Sequence, residues 1–282
     1  MTESCFSHDV STRPNPEPCR PQDKGKFEIL QKDGAARIGR LHTNHGMLNT
    51  PMLLPVVNPN IRTIEPREMW DKYRVEGLIT NSYVIWKHDD LSSSALENGV
   101  HQLIDFPGVI VTDSGTFQSY VYGDVEVGVE EIVKFQRDIG VDIGTMLDVF
   151  GRPDMSRDEI ESAVEITAER ASISLDVAQK DLLLNGPIQG GLHEDLRALA
   201  GQLMGDVNGN DGGFILCFLS RTQHLGQLRY FSTVDLLNLI VSSIIIVQKV
   251  KDKKLKYVLF PLNSPSKKVN KKTVISMGLN IL

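Results

Sequence analysis

The 282-residue sequence predicts an α/β fold and, within that class, a (β/α)8 barrel of the TIM type. Short apolar runs typical of buried strands alternate with stretches of helical periodicity, the order that parallel strands with helical crossovers require. The sequence has no Gly-x-Gly-x-x-Gly fingerprint and no Gly-Lys-Ser/Thr loop. A doubly wound nucleotide-binding sheet is therefore disfavoured.

The predicted elements follow one another along residues 48–204. Runs rich in Val, Ile, Leu and Thr predict strands at Leu48 to Val57, Gly77 to Ile85, Gly108 to Thr112, Ile143 to Val149 and Gly186 to Gln189. Helical patterns predict helices at Glu65 to Tyr73, Ser92 to His101, Val129 to Ile139, Arg157 to Leu183 and Glu194 to Met204. Ser156 and Glu159 form a capping-box pattern, which marks the start of the longest helix.

Composition divides the chain into three parts. Residues 1–24 contain four prolines and no apolar segment, and we expect a disordered leader there. Residues 25–205 hold the alternating elements and are expected to form the barrel. Residues 206–282 carry 11 basic and 4 acidic side chains, a net charge of +7, which leaves −13 for the residues before them.

The C-terminal part also lacks glutamate and alanine, two of the commonest residues in globular domains. Two interpretations follow: a separate basic domain, or a segment foreign to the first part, as after a frameshift or a fusion. Under the second interpretation the barrel is incomplete. The apolar run from Val234 to Val247 is shorter than the roughly 20 residues that cross a bilayer, so no membrane association is expected.

Cysteine usage indicates a reducing compartment. The chain has three cysteines, Cys5, Cys19 and Cys217, an odd number without the spacing of a metal site. A disulfide framework is not expected, and a cytoplasmic protein is predicted.

Polar residues follow three of the predicted strands at their carboxyl ends. Asp113 and Ser114 end the first, Asp148 ends the second, and Gln189 with Gly190 ends the third. In a barrel such ends converge on one mouth. A carboxylate and a carboxamide can together recognise the donor and acceptor edge of a guanine-like base. The alternative is that the aspartates only cap the helices that follow.

Five ordered blocks resemble the tRNA-guanine transglycosylases, and in particular their archaeosine branch. The likeness spans about residues 27–205. The blocks are RIGRLHTNHGMLNTPMLLPVVNPN, GLITNSYVIWK, VIVTDSGTFQSYVYGDVEV, DIGTMLDVFG and GPIQGGLHEDLR. The resemblance implies a barrel enzyme that exchanges guanine 15 in the D-arm of tRNA for 7-cyano-7-deazaguanine through a covalent enzyme–RNA intermediate.

The resemblance also implies roles for individual residues. Asp113 is expected to be catalytic, either as the nucleophile or as the acid/base partner near the base. Substrate-binding residues are expected at Ser114, Phe117, Asp148, Gln189 and Gly190. Core packing is the alternative for Phe117, and His45, His88 and His193 are interpreted as surface or helix-end groups rather than ligands.

The likeness ends after residue 205. Intact members of the family are expected to carry a second catalytic aspartate and a Zn²⁺ site of the Cys-x-Cys-x-x-Cys type with a distant histidine. Neither is recognisable here, because Cys217 stands alone and His224 is the single histidine of the tail. The expected partners are tRNA and guanine or 7-cyano-7-deazaguanine, together with a homodimer. The alternative is an inactive fragment or a non-catalytic subunit that binds tRNA or the base.

Overall fold

The computed structural model describes residues 12–33, 36–116, 127–149, 151–152 and 154–207, together with the backbone of two short strands at 215–219 and 244–245. An antiparallel sheet has the order β1 (Phe27–Asp33), β2 (Ala36–Thr43) and β3 (Gly46–Thr50). A second sheet has the order β4 (Gly77–Asn81), β5 (Val109–Asp113), β6 (Ile143–Thr145), β7 (Leu183–Ile188), β8 (Ile215–Leu219) and β9 (Ile244–Ile245).

Seven α-helices lie within the described residues: α1 (Pro66–Asp71), α2 (Ser82–Lys87), α3 (Asp89–Asn98), α4 (Val100–Ile104), α5 (Val129–Asp138), α6 (Arg157–Ala178) and α7 (Glu194–Val207). Strands β4 to β8 run parallel, and β9 runs antiparallel to β8. The predicted α/β class is therefore confirmed. A closed eight-stranded barrel is not formed by the described strands.

Strand β5 is buried on both faces, as its β-branched run predicts. Val109 and Val111 pack into one apolar cluster with Ile143 and Leu183 of the neighbouring strands. Ile110 points to the other face and packs into the cluster formed with the helices. The parallel sheet thus has an interior side and a helix-covered side, and residues alternate between them.

The antiparallel sheet closes one end of that interior. Phe27, Leu41 and Leu48, one from each of its strands, belong to the same cluster as Val109 and Val111. Val109 is the first residue of β5, so this sheet lies at the amino ends of the parallel strands. The carboxyl ends, where α/β proteins place their chemistry, face away from it.

The strand predicted at Leu48 to Val57 is wrong as a continuous element. Strand β3 ends at Thr50, and Pro51 and Pro55 interrupt the pattern because proline cannot donate a ladder hydrogen bond. Val56 alone forms a parallel bridge with Ile79 of β4.

Two other boundaries also differ from the prediction. The strand predicted from Gly77 to Ile85 ends at Asn81, whose side chain accepts a hydrogen bond from the Val84 amide at 2.8 Å and starts helix α2. The helix predicted from Arg157 to Leu183 ends at Ala178, because the next residue, Gln179, has a φ of 54°. The capping box of Ser156 and Glu159 is confirmed.

The disordered leader predicted for residues 1–24 is wrong for residues 12–24. The Arg13 guanidinium lies 3.7 Å from the centre of the Trp70 ring, and the Arg13 amide donates to Asp71 at 3.1 Å. The Cys19 amide donates to the carbonyl of Thr43 at 3.2 Å, which ties this segment to the antiparallel sheet. Residues 1–11 lie outside the described residues, and the domain boundary after residue 205 stays a prediction.

Within the described ranges, no helix has the length and apolar character needed to span a bilayer.

Candidate active site

The carboxyl ends of three adjacent strands bring the predicted polar residues to one edge of the sheet. Asp113 is the last residue of β5, Asp148 follows β6 by three residues, and Gln189 directly follows β7. The side chains of Asp148 and Gln189 are in contact, because Gln189 Nε2 donates a hydrogen bond to Asp148 Oδ2. This carboxylate and carboxamide therefore form one polar unit.

Asp113 is half-buried at the end of its strand. Burial raises the pKa of its carboxyl, and hydrogen bonds from the Gly115 and Ser114 amides oppose that rise. The Gly115 amide donates to Asp113 Oδ1 at 3.3 Å, and Asn81 Nδ2 lies 3.4 Å from Oδ2. A carboxyl with a raised pKa in this position can both hold and release a proton.

Asp148 is more deeply enclosed, with 8% of its surface exposed. Burial is the main reason why the pKa of its carboxyl is raised to about 6, and the negative charge of Asp113 adds to the effect. Hydrogen bonds from Thr116 and Gln189 act in the opposite direction. A buried carboxyl whose pKa is raised by burial and by a neighbouring carboxylate is typical of active sites.

Helix α6 holds the segment that carries Asp148. Arg170 Nη1 donates to the Asp148 carbonyl at 3.1 Å, and the Val149 amide donates to Thr167 Oγ1 at 3.0 Å. These bonds satisfy backbone groups of a segment that has already left the β6 ladder. They place the Asp148 side chain independently of the strand.

Gly190 permits a close approach of the chain to helix α7. Its φ is +118°, and a Cβ there would lie 2.5 Å from the Arg197 amide nitrogen and 2.7 Å from the Leu196 carbonyl carbon. Backbone atoms cannot yield as a flexible side chain can. Gln189 is therefore positioned by a turn that only glycine can form.

We expect Gly190→Ala to lower the free energy of unfolding by roughly 3 kcal/mol, since backbone strain and overlap act together. Gly140→Ala is the matched control, because Gly140 has a φ of +76° but no atom within 4 Å of the position that a Cβ would take. The control should cost about 1 kcal/mol. Urea unfolding of both variants measures the difference, and equal losses would show that the approach to α7 is not restrictive.

The remaining predicted residues have different positions. Ser114 is fully buried, and its Oγ lies 3.2 Å from Thr116 Oγ1, so its hydroxyl is engaged within the protein. Phe117 lies outside the described residues, and its predicted role in substrate binding stays a prediction. Asn81 and Thr116 contact Asp113 and Asp148 respectively, and neither residue was predicted from the sequence.

A second polar cluster lies at the opposite end of the strands. The carboxylate of Asp142, just before β6, accepts four hydrogen bonds: from His45 Nδ1 at 3.0 Å, the His45 amide at 3.1 Å, His101 Nε2 at 3.1 Å and the Ile110 amide at 3.0 Å. The cluster joins the β2–β3 turn to helix α4 and strand β6. His45 is thus a structural partner of a buried carboxylate, which sequence spacing did not indicate.

Asp142→Asn should lower the free energy of unfolding by roughly 3 kcal/mol, because it breaks this buried network. Burial acts to raise the pKa of Asp142, but hydrogen bonds from His101 and His45 outweigh it and lower the pKa to about 2. A depressed pKa stabilises the fold above the ordinary value of 3.8, and that stabilisation is lost as the pH falls toward about 2.

The measurement is urea unfolding as a function of pH. The wild type should lose about 2 kcal/mol between about pH 5 and about pH 2 from this group, and Asp142→Asn should lack that component. Asp154→Asn is the control, since Asp154 pairs with Arg152 at the surface. Equal pH profiles for wild type and Asp142→Asn would contradict the assignment.

The same three residues are the one group among the described residues with metal-ligand spacing. Their geometry does not fit an ion. The rings of His45 and His101 are stacked with centroids 3.5 Å apart, and His45 Nδ1 and His101 Nε2 contact the Asp142 carboxylate directly at 3.0 and 3.1 Å, so these nitrogens are engaged by the carboxylate rather than by a common ion. The Asp142 carboxylate is also saturated by its four donors.

The fold and the site together indicate the class of protein to which this chain belongs. A family model described as queuine tRNA-ribosyltransferase (TGT) matches residues 32–216, and the chain belongs to this family. The matched range contains Asp113, Asp148 and Gln189. Zinc binding is a general property of the family, although the described residues provide no fitting site.

Three similar proteins all belong to one branch of this family. The chain is 48% identical over 182 residues to the tRNA-guanine(15) transglycosylase of Methanosarcina barkeri and 49% identical over 182 residues to that of Thermoplasma volcanium. It is 47% identical over 181 residues to that of Methanopyrus kandleri. The resemblance to the archaeosine branch is thereby confirmed.

These matches cover 64% of this chain in each case. They cover 37%, 28% and 39% of the three relatives in the same order. The chain therefore matches less than half the length of these proteins.

Proposed function

We propose that this chain carries the base-binding and proton-transfer half of a tRNA-guanine transglycosylase, which exchanges guanine 15 of the tRNA D-arm for 7-cyano-7-deazaguanine. The observation that supports this proposal most strongly is the hydrogen-bonded pair of Asp148 and Gln189 beside Asp113. The relatives that this chain matches are named tRNA-guanine(15) transglycosylases.

The chemistry of guanine explains why this pair suits it. The ring N–H and exocyclic amine of guanine are two adjacent donors, and an ionised Asp148 accepts from both. The Gln189 amide meets the neighbouring carbonyl. Gly190 allows the backbone to approach the base closely. For this, the base must leave the helical stack of the tRNA.

The exchange breaks the bond between N9 of guanine and C1′ of ribose. A carboxylate attacks C1′ as the base departs with a proton, which gives a covalent ribosyl–enzyme intermediate. The incoming base then attacks C1′ through N9, loses its proton and releases the carboxylate. Asp113 is assigned to this chemistry as the nucleophile or as the proton carrier, and its raised pKa favours the second role.

A second candidate function is a non-catalytic subunit or inactive fragment that binds tRNA or the base. It is favoured by residues 206–282, in which no second catalytic aspartate is recognisable. Under this alternative Asp148 and Gln189 still bind guanine, but Asp113 has no catalytic partner.

Two measurements on the purified chain separate the candidates. Incorporation of radiolabelled guanine into tRNA supports the transglycosylase. Binding of guanine or tRNA by calorimetry without incorporation supports the second candidate. Folded protein that incorporates no label and binds neither guanine nor tRNA contradicts both.

The wider architecture is also proposed. We infer that β4 to β7 are part of an eight-stranded barrel, which their parallel order and membership of the family support. A cytoplasmic location and a homodimer are proposed with it, from the cysteine pattern and from the family resemblance respectively. Membership of a tRNA-modifying family supports tRNA as the macromolecular partner.

A further inference from the structure

The interior side of the parallel sheet changes from apolar to polar just below the candidate active site. The register of the strands places one apolar residue of each at the same level, namely Ile79, Val111, Ile143 and Leu183. Two residues further along each strand the side chains return to the same face. The next level is polar and consists of Asn81, Asp113, Thr145 and Asn185.

This polar layer has two halves. In the first, Asn81 Nδ2 lies 3.4 Å from Asp113 Oδ2. In the second, Asn185 Nδ2 donates to Thr145 Oγ1 at 3.2 Å. The first half contains the proposed catalytic carboxyl, whereas the proposed mechanism gives the second half no role.

The second half, formed by Asn185 and Thr145, lowers the stability of the fold. Asn185 is 1% exposed, and its Oδ1 has no hydrogen-bond partner within the part of the chain that the structure describes. A buried acceptor without a donor destabilises a protein, and a leucine of similar shape would avoid that cost. A requirement other than packing therefore explains an asparagine at this position.

The requirement is the orientation of the Thr145 hydroxyl. Thr145 is 8% exposed, and the pairing of Val111 with Ile143, two residues earlier on each strand, places it level with Asp113. Its Oγ1 accepts the Asn185 hydrogen bond, which leaves the hydroxyl hydrogen directed elsewhere. A threonine hydroxyl that accepts one hydrogen bond keeps its own hydrogen available for donation to a ligand.

We propose that Thr145 is a further ligand-positioning residue, whose hydroxyl donates to a carbonyl oxygen or ring nitrogen of the purine, and that Asn185 orients this hydroxyl. The inference rests on the proposed function, because the purine is the ligand held by Asp148 and Gln189. Asn185 acts through Thr145 and does not itself touch the base.

The first test is calorimetric titration of the full chain with guanine. Thr145→Val should weaken binding about tenfold, the size expected for one lost hydrogen bond, and Thr145→Ser should restore wild-type affinity because it keeps the hydroxyl. Thr80→Val is the matched control: Thr80 is also buried, on strand β4, but its hydroxyl donates to the Val57 carbonyl on the other face. The control should lose stability and keep its affinity.

The second test uses Asn185→Leu, for which stability and binding should change in opposite directions. Its unfolding temperature should rise because the unpaired acceptor is removed, while its guanine affinity falls severalfold because Thr145 is no longer oriented. The double variant Thr145→Val/Asn185→Leu should bind no more weakly than Thr145→Val, since both changes act on one hydroxyl.

The outcomes are distinguishable. Wild-type affinity in Thr145→Val, or losses that simply add in the double variant, overturns this inference and leaves the proposed function standing. Wild-type protein that is folded but binds no guanine overturns both.

Discussion

Asp113→Asn is expected to abolish guanine exchange while leaving guanine binding nearly unchanged. Asparagine has the same shape, but it can neither attack C1′ nor carry a proton to the leaving base. The loss should be about 10³-fold or more in rate, the range found when a positioned acid–base or nucleophilic group is removed. Single-turnover exchange measures the rate, and calorimetry measures the affinity.

The control for this variant is Asp154→Asn, which changes an exposed aspartate paired with Arg152. It should exchange guanine at the wild-type rate. If Asp113→Asn retained more than about a tenth of the wild-type rate, Asp113 would not be the group that performs the chemistry.

Asp148→Asn is expected to make the protein more stable and nearly unable to bind guanine. Loss of the charged acceptor for two N–H groups should weaken guanine binding by about 2–3 kcal/mol, or roughly 30- to 150-fold. The same change should raise the free energy of unfolding, because it removes a buried carboxyl whose ionisation is unfavourable. Stability should therefore rise while guanine affinity falls.

The pH dependence of stability follows from the raised pKa of Asp148. Its carboxyl has a pKa of about 6 in the folded chain against an ordinary value of 3.8. The folded state therefore holds this proton more tightly than the unfolded state, and the free energy of unfolding falls as the pH rises from about 4 to about 6. Above about pH 6 the cost is on the order of 3 kcal/mol, which Asp148→Asn should remove.

Guanine binding should have the opposite pH dependence. The ionised carboxylate is the acceptor, so affinity should decline as the pH falls below about 6 in the wild type. Urea unfolding and calorimetry at a series of pH values test both trends. An Asp148→Asn protein that is less stable than the wild type at about pH 8 would contradict the assignment of Asp148 as a buried carboxyl held at a cost to the fold.

The part of the site that could be predicted from sequence lies at strand ends. Asp113 ends a run of β-branched residues that is buried on both faces, and such a run has few alternatives to a central parallel strand. The contact between Asp148 and Gln189 joins residues 41 positions apart. It depends on β6 and β7 being neighbours, which local patterns do not encode.

The residues that the sequence analysis missed resemble ordinary strand or loop residues. Thr145 and Asn185 become notable only when the strand register places them level with Asp113. His45 contacts Asp142 across 97 residues of sequence, so no spacing rule could join them. These residues can be recognised only from their positions and contacts in the folded structure.

Strand β1 of the antiparallel sheet was missed for a different reason. Only Phe27 of the seven residues in β1 is buried, so the strand lacks the alternating apolar pattern by which strands are predicted. Its hydrogen bonds to β2 define it instead. A strand exposed on most of its length has little periodicity to detect.

The most direct test of the proposed activity is the position at which guanine is exchanged. Two tRNA transcripts that differ only at position 15, one with guanine and one with adenine, are incubated with the chain and radiolabelled guanine. Label should enter the guanine-15 transcript alone and should be lost with Asp113→Asn. Equal labelling of both transcripts, or no labelling by folded protein that binds guanine, would contradict the assignment of this chain as a guanine-15 transglycosylase.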